Sequence, residues 1–149
     1  SLVMEYLKRG CLDDVSVAFA GRTLHKVVAM RDKVLKGSRF EHCECLACDL
    51  KDPFAVEALV SSCRVVCNIA GPFMLTGGER LVEACIHYDT DYCDVSGKVP
   101  WSAKLLEFHD VARDAGVYTS CRPRPTRAAC RTSCATPWPR RRAIYMMKP

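Results

Sequence analysis

The fold is decided by residues 15–36, which read VSVAFAGRTLHKVVAMRDKVLK. Residues 15–20 are an apolar run with β-branched side chains, the composition of a buried strand. Residues 24–36 then place their apolar side chains near one face of a helix, among basic residues. A strand that leads through a short turn into an amphipathic helix is the repeating unit of an α/β sheet.

The same unit recurs along the chain as far as residue 121. Further strands are predicted at residues 40–50, 65–69, 92–95 and 117–120. Further helices are predicted at residues 53–62, 79–88 and 101–115. Strands and helices that alternate in this way form a parallel sheet with right-handed crossovers. We therefore predict one α/β domain at residues 1–121, with a doubly wound, Rossmann-like sheet.

The net charge of +5 arises entirely from residues 122–149. This segment holds seven Arg, one Lys and no acidic residue, whereas the rest of the chain has 14 basic and 17 acidic side chains. It also contains five of the eight prolines and shows no hydrophobic periodicity. The segment is predicted to be either a disordered basic tail or the product of a shifted reading frame. Apolar residues such as Trp138 and Ile144 favour the second reading, because a solvating tail rarely carries them.

Eleven cysteines are a high count for a chain of 149 residues. Most of those before residue 121 fall in predicted strands or helices, where a reduced cysteine behaves as a small apolar side chain. We therefore expect buried free thiols in a reducing compartment. Strand alternation sends Cys43 and Cys45 to one face and Cys48 to the other, so no metal site is predicted.

Nothing in the sequence resembles a signal peptide, and no apolar run approaches the roughly 20 residues that cross a bilayer. An intracellular, cytoplasmic protein is the default expectation, and association with an organelle or a lipid surface stays open.

Ligands of a parallel α/β sheet bind outside the carboxyl ends of its strands. Four of the predicted strands are followed there by turn-forming or polar residues. The candidate cofactor-binding residues are Gly21, Arg22, Asp49, Asn68, Ala70, Gly71, Pro72, Phe73, Asp94, Ser96 and Gly97. Each motif alone is typical of ordinary loops, but four of them at one edge favour a bound nucleotide.

Arg22 indicates which nucleotide this is. At the end of the second strand of a dinucleotide fold, an acidic residue accepts from the ribose 2′-hydroxyl, whereas an arginine can pair with a 2′-phosphate. NADP is therefore favoured over NAD, and a solvated loop arginine is the alternative. Asp49 is expected beside the adenine, or as the cap of a helix or loop.

Residues 70–73 suit a nicotinamide ring. Gly71 permits close approach of the backbone, Pro72 fixes its own φ, and Phe73 supplies a flat apolar side chain. The alternative is a tight loop with Phe73 in the core. Ser96 would add a hydroxyl contact. No catalytic residue is predicted, because the four histidines form no pattern with a nucleophile or an acid.

The ordered set of these motifs resembles the saccharopine dehydrogenase-like oxidoreductases over residues 1–121. The matching strings are AGR at 20–22, CD at 48–49, NIAGPF at 68–73, LVEAC at 81–85 and YCDVSG at 92–97. The resemblance implies an NADP-binding domain that takes part in hydride transfer, with a small-molecule substrate held by a second domain. The sequence departs from the family pattern at Lys98, where a glutamate usually follows Asp-x-Ser-Gly.

Family members begin with a strand and a glycine-rich loop before the first helix, and here the sequence starts within that helix, at residues 2–9. We therefore expect a fragment that lacks the first strand, the glycine loop and the substrate domain. Without the loop and helix N-terminus that hold the pyrophosphate, such a fragment should bind cofactor weakly and should not catalyse. The alternative is a non-catalytic binding module whose basic tail contacts nucleic acid or an anionic membrane.

Overall fold

The computed structural model describes residues 2–8, 15–119 and 142–147. These residues form elements that follow one another along the chain as α1 (Leu2–Lys8), β1 (Ser16–Gly21), α2 (Leu24–Val34), β2 (Glu44–Ala47), α3 (Pro53–Val60), β3 (Val65–Asn68), α4 (Gly78–His87), β4 (Asp91–Asp94), α5 (Val99–Glu107), α6 (His109–Asp114) and β5 (Arg142–Met146).

The five strands form one sheet in the order β2-β1-β5-β3-β4, and every neighbouring pair is parallel. The sequence-based prediction of an α/β, Rossmann-like parallel sheet is confirmed. Because all strands run in the same direction, their carboxyl ends meet at one edge, which is where the sequence predicts the candidate site residues to lie.

Side-chain alternation divides the core between the two faces of the sheet. On one face, Ala18, Val66 and Ile144 belong to the same cluster as buried residues of α3, α4 and α5. On the other face, Val17 and Phe19 belong to a smaller cluster with buried residues of α1 and α2. β1 is therefore covered on both sides, whereas Val65 and Cys67 of β3, which lie on this second face, are only half-buried.

The central position of the sheet is filled by β5, which comes from the segment that the sequence analysis assigned to the basic tail. Residues Arg142–Met146 form this strand, which pairs in parallel with β1 on one side and with β3 on the other. Ile144 and Met146 are buried, and Arg142 forms an ion pair with Glu44 of the edge strand β2. Residues 120–141 and 148–149 lie outside the described residues, so the nature of that part of the tail stays a prediction.

The strand predicted at residues 117–120 is also wrong for its described part, because residues 117–119 have no strand structure. The Tyr92 amide donates to the Tyr118 carbonyl at 2.8 Å, but the Tyr118 amide donates to the Asp91 carboxylate at 2.9 Å. The Asp91 side chain thus accepts from a backbone amide that would donate to the neighbouring strand in a regular ladder.

Two helix ends have the residues that typically begin or end a helix. Asp52 caps α3, since its Oδ1 accepts from the amides of Phe54 at 3.0 Å and Ala55 at 3.4 Å, and Pro53 occupies the first turn. Gly116, with φ of 74°, follows α6. Within residues 2–8, 15–119 and 142–147, no helix is long and apolar enough to cross a membrane.

Candidate nucleotide-binding cleft

Two adjoining cavities open along the carboxyl edge of the sheet and together form what we call the cleft. The first, about 240 Å³, lies at the ends of β1, β2, β3 and β5. Its lining includes Arg22, Asp49, Ala70, Gly71 and Pro72, together with Met146 and Met147. Five of the candidate residues, from three different strand ends, are therefore brought together around one space.

The second cavity, about 800 Å³, lies at the ends of β3 and β4 and shares Gly71, Pro72 and Leu75 with the first. Its lining includes Phe73, Ser96, Gly97, Lys98 and Trp101. Its volume is in the range of small-molecule sites, about 300–1,000 Å³, and most of its lining is apolar.

Arg22 is one of two cationic side chains, with Lys51, that line the first cavity. It follows β1 directly and is exposed. Among the residues that the structure describes, its guanidinium makes no hydrogen bond or ion pair, so its donors remain available for a ligand. Asp49 lies across the same cavity, where its Oδ1 accepts from the Lys51 amide at 3.0 Å and holds the loop after β2 in a turn.

Gly21 does not line the cleft, but because it has no side chain two segments can pack closely against it. A Cβ at this position would lie 2.9 Å from Val27 Cγ2 and 3.1 Å from the Met147 carbonyl oxygen. The Met147 amide in turn donates to the Ala20 carbonyl at 2.7 Å. The glycine therefore permits β1 to lie against both α2 and the end of β5.

Asn68 and Asp94 are the last residues of the adjacent strands β3 and β4. Their side chains do not line the cleft but form hydrogen bonds that hold the loops lining it. The Asn68 Oδ1 accepts from the Ala70 amide at 3.1 Å, and its Nδ2 donates to the Tyr92 hydroxyl at 3.3 Å. The Tyr92 hydroxyl donates to Asp94 Oδ2 at 3.0 Å, and the same oxygen accepts from Trp101 Nε1 at 2.7 Å.

We call these four side chains the Asn68–Trp101 network. Burial, followed by the nearby Asp94 carboxylate, raises the pKa of Tyr92, so its hydroxyl stays protonated and continues to donate. Asp94 also accepts from the Ser96 amide at 3.0 Å. The network therefore fixes the loops after β3 and β4 relative to each other.

The loop after β3 is held by its own hydrogen bonds and by an aromatic pair. Thr76 Oγ1 donates to the carbonyls of Ala70 at 3.2 Å and Pro72 at 3.1 Å, and the Gly71–Pro72 peptide is cis. The Phe73 ring is only 8% exposed and lies 5.6 Å from the Trp101 ring, centroid to centroid. Phe73 is thus mainly a core residue, and it also contributes to the lining of the second cavity.

Sequence reasoning missed Trp101, which both lines the second cavity and donates to Asp94. Its position at the start of an amphipathic helix, directly after the Asp94–Gly97 loop, is the only local signal that could have indicated it. Among the described residues, no group of three or more His, Cys, Asp or Glu side chains is placed to hold a metal ion.

A parallel sheet whose strand ends enclose a cleft of this kind defines a Rossmann-type dinucleotide-binding domain. More specifically, the chain belongs to the family described as the saccharopine dehydrogenase NADP-binding domain, whose model matches residues 1–119.

Known proteins share this part of the chain. A putative trans-acting enoyl reductase of Mycobacterium tuberculosis is 31% identical over 116 residues, which cover 77% of this chain and 27% of that protein. The human saccharopine dehydrogenase-like oxidoreductase is 30% identical over 106 residues, which cover 68% of this chain and 24% of that protein. The chain thus spans about a quarter of the length of these relatives.

The solved structure of apo saccharopine dehydrogenase (L-Glu forming) from Saccharomyces cerevisiae has the same fold. It superimposes with a TM-score of 0.62 at 22% identity and covers 79% of this chain and 23% of that one.

Proposed function

We propose that this chain is the NADP-binding part of an oxidoreductase, and that the cleft holds the dinucleotide along the carboxyl edge of the sheet. The observation that carries the proposal is Arg22. Arg22 directly follows β1, has no hydrogen-bond or ion-pair partner within the described part of the chain, and lines the same cavity as Asp49 and the loop at Ala70–Pro72. An arginine at this place can pair with a ribose 2′-phosphate, which NADP has and NAD lacks.

The residues present fit two parts of such a ligand. At the adenosine end, Arg22 would bind the 2′-phosphate and Asp49 would lie near the adenine. At the other end, Phe73, Ser96 and Gly97 would border the nicotinamide. The described residues include no glycine-rich turn for the pyrophosphate between these ends, and we propose that this chain binds the cofactor weakly.

Hydride transfer is the chemistry that NADP supplies when it is bound. The part played by this chain's own residues is to bind and orient. The Asn68–Trp101 network fixes the two loops that border the larger cavity, and most of the lining of that cavity is apolar. We propose that the substrate is held by a further domain, as the length of the relatives suggests, and that this chain does not catalyse by itself.

Titration calorimetry of the full chain with NADPH and NADH tests the proposal. We expect a dissociation constant for NADPH well above the low micromolar range, and about tenfold weaker binding of NADH, since one charge-assisted contact contributes about 1.5 kcal/mol. Arg22→Ala should remove the preference for NADPH. The control is Arg113→Ala, an exposed arginine on α6 with carboxylate neighbours, which should leave the preference unchanged.

Equal binding of the two cofactors by the unsubstituted chain would contradict the role of Arg22. Binding of NADPH in the low micromolar range would contradict the proposed weakness of the site.

A further inference from the structure

A row of side chains crosses one face of the sheet and ends in two cysteines. Each member stands opposite the next in the strand registers. From β2 to β4, the row consists of Cys45, Phe19, Tyr145, Cys67 and Cys93. The Phe19 and Tyr145 rings lie 5.7 Å apart, centroid to centroid. Neither Cys67 nor Cys93 lines the cleft.

Cys67 and Cys93 are in direct contact. The Cys93 thiol donates to the Cys67 sulfur, with 3.1 Å between the two Sγ atoms. They are register partners on neighbouring parallel strands, about 4.8 Å apart. This spacing falls within the Cα separation that disulfides span, about 4.4–6.8 Å. Closing the sulfur pair to about 2.05 Å therefore needs a shift of about 1 Å and no rearrangement of the sheet.

The two thiols are accessible, and Cys67 differs from the other described cysteines in acidity. Cys67 and Cys93 are half-buried, as are Cys43 and Cys45, whereas Cys48, Cys63 and Cys85 are buried. The hydrogen bond from Cys93, together with one from Tyr145, lowers the pKa of Cys67. The pKa of Cys93 is raised, because its proton is engaged by the Cys67 sulfur and because it is partly buried. Cys67 is thus the better nucleophile and Cys93 the natural second partner.

We propose that Cys67 and Cys93 are an oxidation-sensitive thiol pair that closes to a disulfide between β3 and β4 when the chain meets a peroxide. The Cys67 thiolate attacks one peroxide oxygen, the O–O bond breaks, and a sulfenic acid forms as water or an alcohol leaves. The Cys93 sulfur then attacks the Cys67 sulfur and expels the sulfenic oxygen as water. Two electrons pass from the two thiols to the peroxide, and both thiol protons end on the departing oxygens.

The bond would join the strands immediately before two residues of the Asn68–Trp101 network. Asn68 follows Cys67 and Asp94 follows Cys93. Oxidation would therefore brace the strand ends that carry the loops of the larger cavity. The proposal does not depend on the identity of the nucleotide.

Peptide mapping of the full chain tests the proposal. The reduced protein is treated with hydrogen peroxide, remaining thiols are alkylated, and the chain is cut with trypsin and Asp-N. Trypsin separates Cys67 from Cys85 and Cys93 after Arg80, and Asp-N then separates Cys85 from Cys93 before Asp91. We expect a linked peptide that joins Cys67 to Cys93 and disappears on reduction. Its absence at peroxide doses that convert glutathione to its disulfide would overturn the proposal.

Single variants test the order of the two steps. Cys93→Ser should accumulate a sulfenic acid at Cys67, detected as a dimedone adduct, and Cys67→Ser should show no such adduct at Cys93. The control is Cys45→Ser, which removes a half-buried thiol from the other end of the same row and should leave the 67–93 link unchanged. Loss of the link in the control, or a dominant link from Cys67 to Cys85, would contradict the pairing.

Discussion

Replacing Asp94 with alanine removes the acceptor on which the Asn68–Trp101 network depends. The Asp94 carboxylate accepts from Trp101 Nε1 at 2.7 Å and from the Tyr92 hydroxyl at 3.0 Å. Trp101 is 2% exposed and Tyr92 is fully buried, so neither donor can turn to bulk water. Each buried donor left unpaired costs about 1–3 kcal/mol. We therefore expect Asp94→Ala to lower the free energy of unfolding by about 3 kcal/mol.

Urea denaturation followed by tryptophan fluorescence measures this change, because Trp101 is one of the two tryptophans in the chain. Asp94→Asn keeps one acceptor oxygen and should cost about half as much. Asp110→Ala is the control, since its ion pair with Arg113 is exposed and should contribute less than about 0.5 kcal/mol. A loss below about 1 kcal/mol for Asp94→Ala would refute the reasoning, because two donors orphaned in the core cannot cost so little.

Two further predictions concern backbone conformation and ionisation. Gly77 has φ of 87°, and a Cβ there would lie 2.6 Å from the Leu50 carbonyl oxygen, so Gly77→Ala should destabilise the fold by about 3 kcal/mol. The control is Gly37, which has φ of 74° but no atom within 4 Å of such a Cβ, so Gly37→Ala should destabilise the fold by only about 1 kcal/mol. Equal urea midpoints for the two variants would contradict the role of the clash at Gly77. Burial raises the pKa of Cys48 to about 11 and that of Cys63 to about 12, from 9.0. Because the unfolded chain loses these protons at lower pH than the folded chain, the free energy of unfolding should fall as the pH rises from about 9 towards those values. Urea titrations at several pH values measure this fall, which should be shallower in Cys63→Ala.

Much of the cleft could be predicted from sequence because the rule that locates it is topological. Once the strands were recognised as parallel, the residues after them had to meet at one edge. This rule predicted that Arg22, Asp49 and the loop at Ala70–Phe73 lie near Ser96 and Gly97. In the structure these residues line the two adjoining cavities of the cleft.

Asn68 and Asp94 show where this reasoning stops. Their strand-end positions were predicted, but what their side chains do depends on Tyr92 and Trp101. The Asn68–Tyr92 bond joins residues 24 apart in sequence, and Trp101 lies on the helix that follows the Asp94 loop. Such partners are set by tertiary packing and are invisible to a local pattern.

Strand β5 could not be predicted for a different reason. Its apolar run covers only a few residues within a basic, proline-rich segment, so no window of sequence shows a clear period. Its place is determined by β1 and β3, whose facing backbone groups need hydrogen-bond partners in the middle of the sheet. Both β1 and β3 lie more than 70 residues before β5 along the chain.

The most direct test of the cleft compares 2′,5′-ADP with 5′-AMP by NMR titration of the isotopically labelled chain. These ligands differ only in the 2′-phosphate, and neither requires the pyrophosphate or nicotinamide contacts. We predict that 2′,5′-ADP binds more tightly, that the shifted amide resonances include those of Arg22, Asp49 and Gly71, and that Arg22→Ala makes the two ligands equal. Equal affinity for the unsubstituted chain, or shifts confined to residues away from the carboxyl edge of the sheet, would contradict an NADP site in this cleft.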